Sequence, residues 1–266
     1  MRDRRALRAS LTEQFGPSYE AVEATVDSLM ADTRPPRALT DLLDFIAPLP
    51  AGGLAIDAGS NRGKWAVQIR ERHDCRIVAI DLVHGAMVLA AADGLPAVTA
   101  DIEALPVRSG VADLVWCRDM LECVPDPEAA VSELARVLKG GGQLVLYVAF
   151  TTPALERREA DRLITALDMP DWWAHGRRPV EDAIARSGLE VRRVEPISPE
   201  HQERALLDGG GLARDFAILA RLQRERDRCE AAMGTVWYER WRAWLVWAPY
   251  LILGKLETVA WDLRRR

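Results

Sequence analysis

Residues 54–66, LAIDAGSNRGKWA, decide the fold. The apolar run that opens this stretch stops at Gly59, and a helical pattern begins at Trp65, shortly after a second glycine, Gly63. Glycine permits a tight turn and lets the backbone come close to a ligand. A strand, a glycine turn and a helix in this order predict the first unit of a parallel sheet that binds a nucleotide-like ligand.

The alternation of strands and helices continues to residue 150. Further apolar runs occupy residues 76–81, 97–100, 112–117 and 143–150, and helical patterns occupy residues 85–92 and 127–138. Asp126 and Pro127 are favourable residues at a helix start, and the glycines at 140–142 are expected to end that helix. Strands that alternate with helices favour right-handed crossovers and a sheet covered on both faces. The pattern therefore predicts a doubly wound α/β domain.

The charges in the turn distinguish between two classes of nucleotide cofactor. Its glycines are spaced GxxxG, whereas dinucleotide sites show GxGxxG and place a pyrophosphate at the helix N-terminus. Asp57 lies in the turn, and a carboxylate repels pyrophosphate but attracts a sulfonium or an ammonium group. Asp81, at the end of the second predicted strand, is placed to accept ribose hydroxyl groups. The pattern favours a cationic nucleoside.

Four ordered motifs carry a family resemblance. They are LAIDAGSNRGKWA (54–66), IVAIDLVHGAM (77–87), TADIEALPVRSGVADLVWCRDMLECVPDP (99–127) and SELARVLKGGGQLVLYV (132–148). Together they resemble the class I S-adenosylmethionine-dependent methyltransferases, in particular the branch that methylates quinones, sugars and other natural products. The resemblance implies an enzyme of natural product biosynthesis with S-adenosylmethionine as cofactor. It also implies a Rossmann-like, seven-stranded, mostly parallel sheet with helices on both faces and helical cap additions.

The domain organisation follows from the same comparison. We expect a single methyltransferase domain over residues 1–266. It divides into an N-terminal helical cap (1–35), a cofactor-binding core (36–150) and an acceptor-side segment (151–266). Within the last segment, we expect a helical insertion at about 199–235 and a final antiparallel strand at about 245–253.

The resemblance assigns a set of cofactor-binding residues. Asp57 and Gly59 hold the methionine end, Asp81 holds the ribose, and Asp101 with Ile102 holds the adenine. The full set is Asp57, Gly59, Ser60, Asn61, Gly63, Asp81, Leu82, Asp101, Ile102 and Cys117. Asn61 departs from the family, which more often has glycine there, but Asn tolerates a positive φ.

Simpler structural roles remain open for some of these residues. Asp57 and Asp81 could only cap strand ends, Asp101 could only open a helix, and Cys117 could line the core.

The catalytic candidates follow the fourth and fifth predicted strands. A hydroxyl acceptor needs a base to remove its proton, whereas a carbon or amine acceptor can react without one. His175 is the first candidate for this base, because it follows the strand whose carboxyl end faces the acceptor pocket, although it could be an exposed loop residue. Arg118, Asp119 and Glu122 follow the fourth predicted strand and could also reach the acceptor. Asp119 and Glu122 are the other two candidates for the base, and Glu122 could instead be a solvated helix residue.

Seven of the nine Trp residues follow residue 170. Aromatic side chains in this position suit a small apolar or planar acceptor, with O-methylation favoured over N- or C-methylation. Alternatively, they attach the helical additions to the sheet.

Composition argues against several other classes. The net charge is -5, which disfavours a nucleic-acid partner. The four Cys show no CxxC spacing, so we expect no metal site. The longest apolar stretch, Trp244 to Leu253, is too short to span a membrane, and no secretory signal is recognisable at residues 1–10. We expect a cytoplasmic, bacterial protein without a membrane partner, and a homodimer stays open.

Three alternative functions share parts of this pattern. A methyltransferase-like protein could use bound S-adenosylmethionine for another reaction, such as cyclisation. A nucleic-acid methyltransferase is disfavoured by the acidic charge and by the lack of an (N/D)PP(Y/F)-like motif after the fourth strand. A non-catalytic binding module would tolerate a broken glycine turn, whereas this turn is intact.

Overall fold

The computed structural model describes residues 42–197, 199, 203 and 211–266. The expected N-terminal cap over residues 1–35 and most of residues 199–210 lie outside this range. The strands are β1 (Leu54–Ala58), β2 (Arg76–Asp81), β3 (Ala97–Thr99), β4 (Ala112–Arg118), β5 (Leu138–Thr151), β6 (Leu189–Ile197) and β7 (Leu256–Arg265).

The helices of the described residues alternate with these strands and then form a separate run before β7. They are α1 (Lys64–His73), α2 (His84–Ala92), α3 (Pro127–Val137), α4 (Arg157–Leu167), α5 (Arg178–Arg186), α6 (Gly211–Arg224), α7 (Arg226–Met233) and α8 (Thr235–Ile252). Short 3₁₀ helices lie at Leu42–Phe45, Ile102–Ala104, Leu121–Cys123 and Asp171–His175.

The seven strands form one mixed sheet in the order β3-β2-β1-β4-β5-β7-β6. Strands β1 to β5 pair in parallel, whereas β7 is antiparallel to both β5 and β6. This confirms the predicted seven-stranded, mostly parallel Rossmann-like sheet. The strand order reverses between β1 and β4, and ligands of such sheets bind at the carboxyl ends of the strands beside that reversal.

Two apolar layers, one on each face, hold the sheet in place. In β4, Trp116 belongs to one layer and Cys117 to the other, because successive side chains of a strand point to opposite faces. Strand β5 contributes Val145 to the first layer and Leu146 to the second. The central strands therefore need apolar residues at consecutive positions, as their sequences show.

Helix α3 begins as its sequence predicts, but it ends earlier. Asp126 Oδ1 accepts hydrogen bonds from the backbone N–H groups of Glu128 (2.9 Å) and Ala129 (3.1 Å). The helix ends at Val137, and β5 begins at Leu138, so the three glycines lie inside the strand rather than at the helix end.

The predicted final strand at about 245–253 is wrong. These residues belong mostly to helix α8, and the last strand is β7, which lies between β5 and β6. Pro249 has no N–H to donate, so it does not suit a strand that pairs on both sides. The β7 sequence, with the β-branched residues Thr258 and Val259, suits that position better.

The helical insertion therefore extends beyond its expected end near residue 235. Helices α6, α7 and α8 follow one another from Gly211 to Ile252. No helix among the described residues combines the length and the apolar character needed to cross a lipid bilayer.

Candidate active site at the carboxyl ends of β1, β2 and β4

Three residues of the turn after β1 have a left-handed backbone conformation. Gly59, Asn61 and Gly63 have φ angles of 79°, 49° and 80°. The backbone N–H groups of Gly59 and Ser60 both donate to the carbonyl oxygen of Ile80, at 2.8 and 3.0 Å, which fixes the turn against β2. Asn61 thus adopts the positive φ that its tolerance of this region predicts.

Close packing explains why both glycines are required. A Cβ atom added at Gly59 would lie 2.5 Å from Met120 Cγ, and one added at Gly63 would lie 2.2 Å from Leu95 Cδ1. The left-handed φ angles add a backbone cost for any other residue. Met120, from the segment after β4, therefore packs directly against the turn.

Asp57 is a buried carboxylate at the end of β1. Its side chain is 2% exposed, and its Oδ2 accepts a hydrogen bond from the Ser60 hydroxyl at 2.7 Å. Burial raises the pKa of Asp57 to about 6, with a further contribution from the charge of Asp81, while the hydrogen bond from Ser60 opposes the rise. A cation beside this carboxylate would relieve both unfavourable effects.

Asp81 lies at the end of β2 with both carboxylate oxygens fixed by backbone groups. Oδ2 accepts from the N–H of Asn61 at 2.8 Å, and Oδ1 accepts from the N–H of Val83 at 2.9 Å. Each oxygen keeps a further lone pair for a ligand hydroxyl. The side chain of Leu82 beside it is 61% exposed.

Asp101 acts as a helix cap, and Ile102 belongs to the core. Asp101 Oδ1 accepts a hydrogen bond from the N–H of Glu103 at 2.9 Å and so opens the 3₁₀ helix at Ile102–Ala104. The side chain of Ile102 is buried in the same apolar layer as Leu105. These contacts agree with the alternative role of Asp101, in which it only opens a helix.

Two of the predicted site residues near the end of β4 are buried. Cys117 is almost fully buried, and its burial raises the pKa of the thiol well above its usual value. Glu122 is 5% exposed, and its Oε2 has no hydrogen-bond partner among the described residues. Burial, together with the neighbouring charge of Asp119, raises the pKa of Glu122 to about 8. At neutral pH this carboxyl group is therefore mostly protonated.

Arg118, which the sequence predicts to lie where it could reach the acceptor, contacts two aromatic rings. Its Cζ lies 4.3 Å from the ring centroid of Trp65 and 4.9 Å from that of Tyr147. Its Nε donates to Asp119 Oδ2 at 2.9 Å. The sequence indicates the position of Arg118 at the end of a buried apolar run. It does not indicate the two aromatic partners, because they come from α1 and β5.

His175 lines a cavity that neither Asp119 nor Glu122 lines. It is exposed at the end of the 3₁₀ helix Asp171–His175 and lines a cavity of about 710 Å³ beyond the end of β5. Thr151 and Asp161 line the same cavity, but Asp119 and Glu122 do not. The structure therefore brings Asp119 and Glu122 together and leaves His175 apart.

The Trp residues divide into two groups. Trp172 Nε1 donates to the carbonyl of Val124, and Trp173 Nε1 donates to that of Ala149, both at 2.8 Å. Trp173 also stacks on Trp247 of α8, with ring centroids 5.6 Å apart. These contacts attach the helical segment to the sheet. Three further side chains on α8 are about half exposed: Trp237, Trp241 and Trp244.

Comparisons with known proteins find methyltransferases. Residues 56–146 match a family described as a methyltransferase domain. The 27-O-demethylrifamycin SV methyltransferase of Amycolatopsis mediterranei (strain S699) is 26% identical over 177 residues, which cover 60% of this chain and 62% of that protein. The malonyl-[acyl-carrier protein] O-methyltransferase of Enterobacter lignolyticus (strain SCF1) is 39% identical over 130 residues, or 45% of this chain and 49% of that protein.

A solved structure shares the fold over most of the chain. The geranyl diphosphate C-methyltransferase from Streptomyces coelicolor A3(2), in complex with Mg²⁺, geranyl diphosphate and S-adenosyl-L-homocysteine, superposes with a TM-score of 0.62. It is 16% identical, and the match covers 85% of this chain and 77% of that chain. The chain spans about half to three fifths of the length of the two curated relatives.

Proposed function

We propose that the chain is a class I S-adenosylmethionine-dependent methyltransferase and that it transfers a methyl group to an oxygen of a small apolar or aromatic metabolite. One observation carries the proposal. Two carboxylates, Asp57 and Asp81, flank a glycine turn at the point where the strand order reverses. A sheet of this kind binds its ligand there, and the two acids suit a nucleoside that carries a positive charge.

The residues of the turn fit the cofactor of this family. When bound, S-adenosylmethionine supplies a methyl group on a positively charged sulfonium. The buried carboxylate of Asp57 stabilises positive charge at the turn, and its pKa of about 6 leaves it mostly ionised at neutral pH. Asp81 offers two oriented acceptors for ribose hydroxyl groups.

The other cofactor residues keep their assigned roles within this proposal. Gly59, Ser60, Asn61 and Gly63 form the turn that approaches the methionine end. Leu82 is exposed beside the ribose acid, and Asp101 and Ile102 are assigned to the adenine. Cys117, a buried residue near the end of β4, is assigned to the position beneath the sulfonium.

Glu122 is the base that best suits a hydroxyl acceptor. Its Oε2 is buried and lacks a hydrogen-bond partner among the described residues, so an acceptor hydroxyl that reaches it would be its hydrogen-bond donor. Its pKa of about 8 makes the carboxylate a stronger base than an ordinary glutamate, at the cost of being mostly protonated at neutral pH. His175 and Asp119 remain the alternative bases.

The names of the relatives support oxygen as the methyl acceptor. Both curated relatives named above are described as acting at an O-position. The net charge of -5 supports a small-molecule acceptor over a nucleic acid.

Product analysis tests the proposal. The full chain is incubated with S-adenosylmethionine and a panel of hydroxylated aromatic and aliphatic acceptors, and both products are quantified by mass spectrometry. We expect S-adenosylhomocysteine and an acceptor heavier by one methylene in equal amounts, and neither product with the Gly59→Val variant. An acceptor converted without S-adenosylhomocysteine would contradict methyl transfer and favour a cyclisation-type reaction.

A further inference from the structure

The guanidinium of Arg118 lies over two aromatic rings. They belong to Trp65, which follows the glycine turn on α1, and to Tyr147 of β5, and their centroids lie 4.3 and 4.9 Å from Cζ. Two such contacts restrict the guanidinium and so lower the entropy that it loses when it binds a ligand.

The hydrogen bonds of Arg118 leave one edge of the guanidinium unused. Nε donates to Asp119 Oδ2 at 2.9 Å. Within the part of the chain that the structure describes, neither terminal nitrogen of this side chain has an acceptor, and the side chain is 25% exposed. An oriented arginine edge of this kind matches the two oxygens of a carboxylate or a phosphate.

The position of Arg118 places this edge beside the proposed cofactor turn. Arg118 ends β4, and two residues before it Trp116 pairs in register with Asp57 of β1. Trp65 is two residues beyond Gly63, the last glycine of the turn. The stack therefore lies at the same edge of the sheet as the turn.

Over the described ranges of the chain, the acids near Arg118 leave its terminal nitrogens without a charged partner. Asp119 is the only acid within 4 Å of its nitrogens among the described residues. Glu122 is mostly protonated at neutral pH because of its burial, so it contributes little negative charge there. One further anion can therefore be received at this edge.

We propose that Arg118 binds an anionic group of a ligand, a carboxylate or a phosphate, in this site. The proposal rests on the proposed function and extends it, since no role was assigned to Arg118 there. Two sources carry this chemistry: the amino-acid carboxylate of the cofactor and an acid group on the acceptor.

Calorimetry on the full chain distinguishes these sources. The probes are S-adenosylhomocysteine, its decarboxylated analogue, and inorganic phosphate added to the protein saturated with S-adenosylhomocysteine. If Arg118 binds the cofactor carboxylate, Arg118→Gln weakens S-adenosylhomocysteine binding about tenfold to a hundredfold and leaves the decarboxylated analogue unchanged. If it binds an acceptor anion, Arg118→Gln leaves both nucleosides unchanged and abolishes the binding of phosphate.

Two further variants control for structure. Arg118→Lys keeps the charge without the flat fork, so we expect an intermediate loss with the same probe, and it serves in place of Arg118→Gln if that variant does not fold. Arg178→Gln, on α5, removes an arginine that is 87% exposed and should change no affinity.

Two results would overturn the proposal. In one, Arg118→Gln binds all three probes as the wild type does. In the other, it loses both nucleosides equally, which would assign Arg118 a purely structural role. Failure of the wild type to bind S-adenosylhomocysteine would instead contradict the proposed function.

Discussion

The glycine turn after β1 and the helical segment after β5 differ in what determines their structure. The turn is set by backbone geometry, since Gly59 and Gly63 both have left-handed φ angles, and at Gly59 a Cβ atom would also clash with Met120. The helical segment is set by tertiary contacts, such as the stack of Trp173 on Trp247. The first region is therefore specified locally by residue type, and the second only by its partners elsewhere in the chain.

The largest effect is expected in the turn. Gly59→Val should abolish S-adenosylhomocysteine binding, because its Cβ would lie 2.5 Å from Met120 Cγ and the residue would be strained at φ 79°. Gly94→Val is the matched control, since Gly94 has the same φ of 79° but open space around it. Calorimetry should show binding by the Gly94 variant alone. Normal binding by Gly59→Val would remove the turn from the site.

The pH dependence of turnover tests Glu122, beside the glycine turn, against His175, in the helical segment. Glu122→Gln should lower turnover about 10²–10⁴-fold, and wild-type turnover should rise as pH increases through about 8, where Glu122 ionises. His175→Ala, in the other region, should retain turnover. The reverse result, with only the His175 variant impaired, would make His175 the base.

The pH dependence of the melting temperature tests the raised pKa of Glu122 independently of turnover. The pKa of Glu122 is about 8 in the folded chain, above its ordinary value of 4.5, so the wild type loses stability as pH rises from about 4.5 to 8. Glu122→Gln lacks this loss. Its melting temperature should therefore exceed that of the wild type at pH 8 and match it near pH 4.5. A difference that is independent of pH would contradict the raised pKa.

Substitutions in the helical segment after β5 should lower the free energy of unfolding rather than the affinity for the cofactor. Trp173→Ala should cost about 3–5 kcal/mol in the free energy of unfolding, because the side chain is fully buried, stacks on Trp247 and donates to Ala149. Trp241→Ala, at a half-exposed position on α8, should cost far less. Urea unfolding measures both. A loss of S-adenosylhomocysteine affinity in folded Trp173→Ala would show that the two regions are coupled.

The contrast also explains which parts could be predicted from the sequence. The doubly wound α/β class followed from the alternation of strands and helices. The turn followed from Gly59, Asn61 and Asp81, whose residue types carry the local geometry. The predicted strand at about 245–253 was wrong because a short apolar run does not distinguish a strand from a buried helix. Residues 256–265, which form β7, were missed because the final strand was expected at about 245–253 and because they mix charged with apolar residues.

Two features of the site could not be predicted from the sequence, because they depend on contacts between distant elements. The stack on Arg118 joins α1, β4 and β5, and no local pattern links Trp65 with Tyr147. The burial of Glu122, which raises its pKa, likewise depends on elements packed around the end of β4. The roles of the cofactor and catalytic residues stay predictions.

The affinity of the Asp81→Asn variant for S-adenosylhomocysteine tests the central claim most directly. The change keeps the size of the side chain and removes the negative charge that accepts from Asn61 and, in our account, from the ribose. Calorimetry should show a loss of about 1.5–3 kcal/mol, with Asp93→Asn, an exposed acid after α2, unchanged. An Asp81→Asn variant that binds as tightly as the wild type would contradict a nucleoside site at the carboxyl ends of β1 and β2.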